Sequence, residues 1–160
     1  MNRIVGVSRG NYEKYLEGIM DIENISFPSP WSRNAFIQEL TNPVSHLWVV
    51  PIDQSVAGYI CFWMFDSEIQ LIDIAVHPEK RGQGFGYFLL SNMIETGVAK
   101  GIRSVWLEVR ESNQPAKRLY QRFHFEDVGR RPRYYRDTNE DAIVMALRLS
   151  ERDRYRKVSN

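Results

Sequence analysis

The apolar positions of the chain change period several times, and each change marks an element. Tyr15, Ile19, Ile22 and Ile25 recur at helical spacing and predict a helix over 11–25. Phe27-Pro28-Ser29-Pro30 cannot continue it, because two prolines remove donors and clash with the preceding turn. Ser32 suits an N-cap, which predicts a second short helix ending near Leu40, with Pro43 closing the unit. Strand-like runs follow at 46–50, 56–65 and 68–77, with Asp66-Ser67 as a hairpin turn that lacks the favoured Asn-Gly pair. Ile69 to Val76 reads as nearly continuously apolar, the pattern of a strand covered on both faces. A longer helix is predicted over 84–99, with Leu90, Ile94 and Val98 in one stripe and Gly101 as its stop. Residues 103–109 alternate, so Val105, Leu107 and Val109 share one face while Trp106 and Glu108 share the other. Asn113 caps a further helix with Pro115 in its first turn, and Ala116, Leu119, Tyr120 and Phe123 line one face of it. Strands over 125–130 and 141–149 complete a pattern in which strand and helix alternate, an α/β domain.

Composition removes several function classes. The 160 residues suit one domain over 1–150, followed by a charged tail over 151–160 that is expected to be disordered. A net charge of +1 gives no overall field for nucleic acid. The basic run Arg130-Arg131-Pro132-Arg133, with Arg136 beyond it, reads more simply as a solvated loop than as an RNA contact. Cys61 is the single cysteine and sits in an apolar run, so it reads as a small buried hydrophobe in a reducing compartment. The N-terminus carries no signal-peptide pattern, and no window approaches the ~20 apolar residues of a membrane span. A soluble, cytoplasmic protein without a membrane partner is expected. His46, His77 and His124 lie far apart with no carboxylate or cysteine at ligand spacing, so no metal is predicted.

Candidate chemistry concentrates at Val76-His77-Pro78-Glu79-Lys80-Arg81-Gly82-Gln83-Gly84-Phe85-Gly86, which joins a strand to a helix. Three glycines at alternate positions let the backbone approach a ligand and aim N–H groups at it. The helix start adds unpaired N–H groups and the positive end of its dipole. The segment is therefore a candidate phosphate or pyrophosphate site. It is not a P-loop, because Gly84-Phe85-Gly86 stands where Gly-Lys-Ser/Thr is needed. It is not a dinucleotide fingerprint either, because Tyr87 occupies the place of the third glycine.

Arg81-x-x-Gly84-x-Gly86 resembles the Arg/Gln-x-x-Gly-x-Gly/Ala motif of the Gcn5-related acetyltransferases, the GNAT family. The resemblance continues in order through Trp106-Leu107-Glu108-Val109-Arg110, Ser112-Asn113, Leu119-Tyr120, Arg133-Tyr134-Tyr135 and Glu140-Asp141-Ala142. With Phe27 and Pro30-Trp31-Ser32 near the start, the set is similar to the bacterial ribosomal-protein alanine N-acetyltransferases of the RimI type. The resemblance implies the GNAT fold: a twisted, mixed, mostly antiparallel sheet splayed between its fourth and fifth strands and flanked by about four helices. It implies acetyl-CoA as cosubstrate. Arg81, Gly82, Gln83, Gly84, Phe85, Gly86 and Tyr87 would wrap the pyrophosphate, Ile74, Ala75 and Val76 would offer backbone to the pantetheine arm, and Asn113 would also touch the cofactor. The family has glycine where this chain has His124, so a residue with a Cβ must end the tyrosine helix.

An α-amino group titrates at about 7.7–8.0, so a base that removes its proton assists attack. By resemblance Glu108 is that base, and beside apolar neighbours its carboxyl is expected to rise toward neutrality. The plainer alternative is a surface glutamate paired with an arginine such as Arg110. Tyr120 is the implied acid for the CoA thiolate, or else a core tyrosine of its helix. A backbone N–H near Val76 would stabilise the oxyanion. Trp31, Ser32, Tyr134 and Tyr135 would border the acceptor, taken as the N-terminus of a ribosomal protein beginning with alanine. The open alternatives are a lysine side chain, a small amine, or a CoA-binding sensor without catalysis.

Overall fold

The computed structural model describes residues 2–149, so the charged tail expected at 151–160 lies outside the described residues. The elements in chain order are β1 (Val5–Gly6), α1 (Tyr12–Ser26), α2 (Arg33–Glu39), β2 (Ser45–Ile52), β3 (Ser55–Phe65) and β4 (Glu68–Val76). After a short 3-10 turn at Pro78–Lys80 come α3 (Phe85–Ala99), β5 (Ser104–Arg110), α4 (Gln114–Arg122), β6 (Glu126–Tyr135) and β7 (Glu140–Arg148). The strands form a mixed seven-stranded sheet in the order β1-β2-β3-β4-β5-β7-β6. Pairs β1–β2, β2–β3, β5–β7 and β6–β7 are antiparallel. β4 and β5 are parallel, in a register that runs from Glu68↔Ser104 to Gln70↔Trp106. The chain clusters into two compact units: one holds the residues up to Trp63 with Ile72–Asn92, the other Met64–Leu71 with the chain from Met93 on.

In the first unit, α1 buries Tyr15, Leu16, Ile19, Ile22 and Glu23 against a core that includes Phe36, Leu47, Val49 and Tyr59. Each fully buried apolar side chain among them contributes roughly 1.5–3 kcal/mol. The stripe departs from the sequence reading at its end. Ile25 is 62% exposed while Glu23 is 2% exposed. Two residues turn the helix by about 200°, so the rotation that brings Glu23 inward points Ile25 to water. β4 departs as well. It is not covered evenly on both faces: Ile69, Leu71, Asp73 and Ala75 are buried and the residues between them are half-buried. Ser32 caps α2 as predicted, its hydroxyl accepting the Ala35 N–H at 3.1 Å. Cys61 is fully buried, and burial pushes its thiol up to about 12.

In the second unit, Val105, Leu107 and Val109 are buried and alternate with half-buried Trp106 and Glu108, as the pattern required. Asp66 and Ser67 take φ values of +48° and +64°, so the turn into β4 uses two left-handed residues, neither of them glycine. Gly101 ends α3 at φ +78°. Ile102 N–H donates to Gly97 C=O at 2.9 Å and Gly101 N–H to Val98 C=O at 3.1 Å, a Schellman closure. α4 ends the same way on His124, at φ +69°. Phe125 N–H reaches Tyr120 C=O at 3.2 Å and His124 N–H reaches Gln121 C=O at 2.9 Å. The Tyr120 and Phe125 rings meet at 5.8 Å, the apolar contact that accompanies this motif. Two expectations are corrected here. The basic run lies in β6 up to Tyr135 rather than in a loop, and β6 extends five residues beyond the predicted 125–130.

Candidate active site

The loop after β4 belongs to the first unit, and local bonds shape it. His77 N–H donates to Ala57 C=O at 2.8 Å, which fixes the strand end. Its ring Nδ1 accepts the Glu79 N–H at 3.1 Å and starts the 3-10 turn. Gly82 and Gly84 then take φ +75° and +88°, and a Cβ at either would meet nothing within 4 Å. Glycine is needed there for backbone conformation, not for space. A left-handed residue next to a right-handed one turns successive amides toward one side, the geometry of an anion-binding concavity. Gly86 differs from them, because it already lies inside α3. The first helical bond of α3 is Phe88 N–H to Gly84 C=O at 2.9 Å, so the amides just before it open the helix at its positive end.

Side chains of the same loop face back onto protein. Arg81 donates from Nε to Val76 C=O at 3.1 Å and from Nη2 to Ser26 Oγ at 3.1 Å, which ties the loop to the last residue of α1. Gln83 donates to Glu79 C=O at 3.2 Å. Phe85 is buried. Ile74 and Val76 are half-buried on the face of β4 opposite Ala75. The cradle is thus backbone, with Arg81 as its brace.

In the second unit, β5 and the edge strand β6 bring Glu108, Arg131, Tyr134 and Tyr135 together. Arg131 Nε donates to Glu108 Oε1 at 2.8 Å, and the glutamate side chain is only 20% exposed. The plainer reading of Glu108 is corrected in its partner. Arg110 is engaged elsewhere, by Asp137 at 2.7 Å, and its guanidinium lies over the Tyr135 ring at 4.0 Å. The Tyr134 hydroxyl is held above its ordinary range, first by its hydrogen bond to Glu108 and then by burial, so it stays a donor. Burial, with the Glu108 charge second, pushes Tyr135 up to about 12. The two rings pack edge to face at 5.2 Å. Arg133 sits at φ +50° between them and Arg131, its N–H held by Asp141 Oδ1 at 2.9 Å. This bulge takes Arg133 and Tyr134 out of the regular ladder, which resumes at Tyr135↔Glu140.

α4 carries the other two predicted residues of this unit. Asn113 Oδ1 accepts the Ala116 N–H at 3.2 Å, so its capping role is as expected. Tyr120 is 5% exposed and anchors the helix end against Phe125.

A cluster that the sequence reading passed over lies in the first unit. Glu23 and Asp73 are the buried charged residues, at 2% and 9% exposure, and Tyr59 between them is fully buried. Tyr59 donates its hydroxyl to Glu23 Oε2, and Glu23 Oε1 accepts the Trp31 N–H at 3.1 Å. Burial, followed by contact with Glu23, holds the Asp73 carboxyl well above the usual carboxylate range. Its Oδ2 is buried with no hydrogen-bond partner. Both signals were in the sequence: a carboxylate at i+4 from Ile19 on an apolar stripe, and another in the middle of an apolar strand. Among the described residues no group of three or more histidine, cysteine or acidic side chains could hold a metal, and no helix is long and apolar enough to cross a membrane.

Residues 16–125 match the acetyltransferase (GNAT) family model. A Bacillus subtilis protein is 39% identical over 137 residues, spanning 85% of this chain and 91% of its own. It carries the name ribosomal protein bS18-alanine N-acetyltransferase, marked as provisional. The crystal structure of the Escherichia coli ribosomal-protein-S18-alanine N-acetyltransferase is 31% identical, with a TM-score of 0.83, over 94% of this chain and 95% of that one. Arabidopsis thaliana NAA60 in complex with acetyl-CoA shares the fold at TM-score 0.77 and 18% identity, over 93% of this chain and 99% of that one.

Proposed function

The chain belongs to the acetyltransferase (GNAT) family, and from that premise we propose that it moves the acetyl group of acetyl-CoA to the α-amino group of a protein N-terminus, that of a ribosomal protein beginning with alanine. One observation carries the acceptor: the similarity to enzymes named for that substrate runs through 85% of the chain at 39% identity.

The thioester supplies an activated acyl group, and the chain supplies position and proton handling. The amides of Gly82 and Gly84 and the start of α3 receive the pyrophosphate, braced by Arg81, with Gln83, Phe85, Gly86 and Tyr87 shaping the turn. The backbone of Ile74, Ala75 and Val76 guides the pantetheine arm, and Asn113 serves the cofactor while capping α4. Trp31, Ser32, Tyr134 and Tyr135 are the acceptor residues of this reading. Glu108 takes the proton from the acceptor ammonium. The amine then forms the N–C bond on the thioester carbon, and the tetrahedral oxyanion collapses as the C–S bond breaks. Tyr120 gives the leaving thiolate its proton, and the proton that the nitrogen sheds on becoming an amide restores Tyr120. Arg131 and Tyr134 hold the Glu108 carboxylate in one orientation until the ammonium replaces the guanidinium as its partner.

Free CoA release tests this. Acetyl-CoA is offered with a short peptide beginning with alanine, and with the same peptide blocked at its N-terminus but carrying a free lysine. Turnover confined to the free N-terminus is expected. Turnover of the blocked peptide would move the assignment to lysine, and silence with both would overturn it.

A further inference from the structure

The core of the first unit contains two carboxylates where apolar side chains would be cheaper. Removing one ion from water costs several kcal/mol even after relaxation, and Glu23 and Asp73 face each other without a buried cation between them. Such an arrangement is tolerable when the pair shares a proton and most of its remaining oxygens are used; Asp73 Oδ2 is the one left without a partner. Glu23 uses both of its own. Oε2 accepts from Tyr59, and Oε1 accepts the backbone N–H of Trp31. That second bond leaves the helix and lands on the Phe27–Ser32 segment, where Pro28 and Pro30 can donate nothing.

The contacts close into a ring. The Trp31 side chain packs on Phe36 at 5.1 Å, and Phe36 meets Tyr59 edge to face at 6.0 Å. Tyr59 returns to Glu23 through its hydroxyl, and Glu23 to Trp31 through the amide. Trp31 is therefore fixed twice, by backbone and by ring, and both routes pass through Tyr59 or Glu23. Trp31 immediately precedes Ser32, whose hydroxyl starts α2. Asp73 supports the ring from β4, directly before Ile74-Ala75-Val76.

We propose that Glu23, Tyr59 and Asp73 are positioning residues for the acceptor: they hold Trp31 and the segment before it in the shape that receives the incoming peptide. The inference rests on the assignment of Trp31 to the acceptor border made above. Its consequence is a split in kinetic constants. Loosening Trp31 weakens the peptide and leaves acetyl-CoA unaffected, because the backbone cradle at Gly82 and Gly84 uses none of these three side chains.

The test measures KM for the alanine peptide and for acetyl-CoA in the full chain and in Glu23→Ala, Glu23→Gln and Tyr59→Phe. Amide exchange at Trp31 is followed in each. Glu23→Ala is expected to raise the peptide KM about tenfold or more, with the acetyl-CoA KM within about twofold, and to lose protection at the Trp31 amide. Glu23→Gln should restore most of the peptide KM, since its amide oxygen still accepts from Trp31 and its nitrogen can donate to Tyr59. Tyr59→Phe removes one hydroxyl and should give the same split, more weakly; it carries the comparison if Glu23→Ala does not fold. A wild-type chain silent on the peptide would sink the functional reading and this inference together. An active wild type whose variants keep the peptide KM, or lose both KM values in parallel, would overturn the inference alone.

Discussion

His124 does at the end of α4 what Gly101 does at the end of α3. Both residues are left-handed, at φ +69° and +78°, and each helix end closes the equivalent pair of its own carbonyls. Only glycine adopts that region freely; a residue with a Cβ loses roughly 1–2 kcal/mol there. Histidine is among the more tolerant residues, which favours the lower end of that range. His124→Gly removes this strain but gives the unfolded chain more freedom, an offset of roughly 0.4–1 kcal/mol. His124 is exposed, so little packing is lost. The net expectation is a gain of about 0.5 kcal/mol at most, which in a chain of this size raises Tm by roughly 1–2 °C. Gly101→Ala is the mirror experiment. A Cβ there meets nothing within 4 Å, so its cost is conformational alone and should lower Tm by a similar amount. Thermal unfolding followed by circular dichroism reads both. Turnover of His124→Gly should stay within about twofold, because Phe125 N–H and its ring still fix Tyr120. A Tm that fails to rise in His124→Gly while Gly101→Ala falls as expected would refute the strain argument.

Glu108→Gln should lower kcat by about 100-fold or more, in the range of general-base catalysis, while acetyl-CoA affinity measured by calorimetry stays within about twofold. Equal loss of both would remove Glu108 from the chemistry. Gly84→Val places a β-branched residue at φ +88° and should weaken acetyl-CoA binding by about tenfold or more; unchanged affinity would refute the cradle. Asp73→Asn should raise Tm, and the gain should depend on pH. The Asp73 carboxyl is raised in the folded chain, so its contribution to stability is whole below the ordinary carboxylate pKa of about 4 and is lost as pH rises toward the folded value. The Tm difference between variant and wild type should therefore widen from pH 5 to pH 8, and a constant difference would exclude the burial argument.

Local chemistry was legible in the sequence, and pairing at a distance was not. Ser32 and Asn113 announced their helices because a cap depends on residues three positions away. The glycine loop announced its backbone conformation for the same reason, since φ is a property of single residues. Glu108 lies on the less buried face of β5 that the alternation predicts, and its partner is an arginine, but Arg131 rather than the Arg110 offered as the example. The neighbour that matters, Arg131, arrives through β6 and two register shifts that no local pattern encodes. Glu23 and Asp73 were missed because each was averaged into an apolar run; their meaning appears only when α1 and β4 bring them together. The two-residue β1 carries too few positions to show a period.

The two outer strands of the sheet have a consequence for how copies of this chain can meet. One rim is β1, two residues long, and the other is β6, which carries Pro132, three arginines and two register shifts. Neither rim offers a long, flat row of free amides and carbonyls for another strand to zip onto. The segment assigned to the acceptor thus also guards the chain against fibre-like growth. Straightening it, for example with Pro132→Val, would create a self-association hazard.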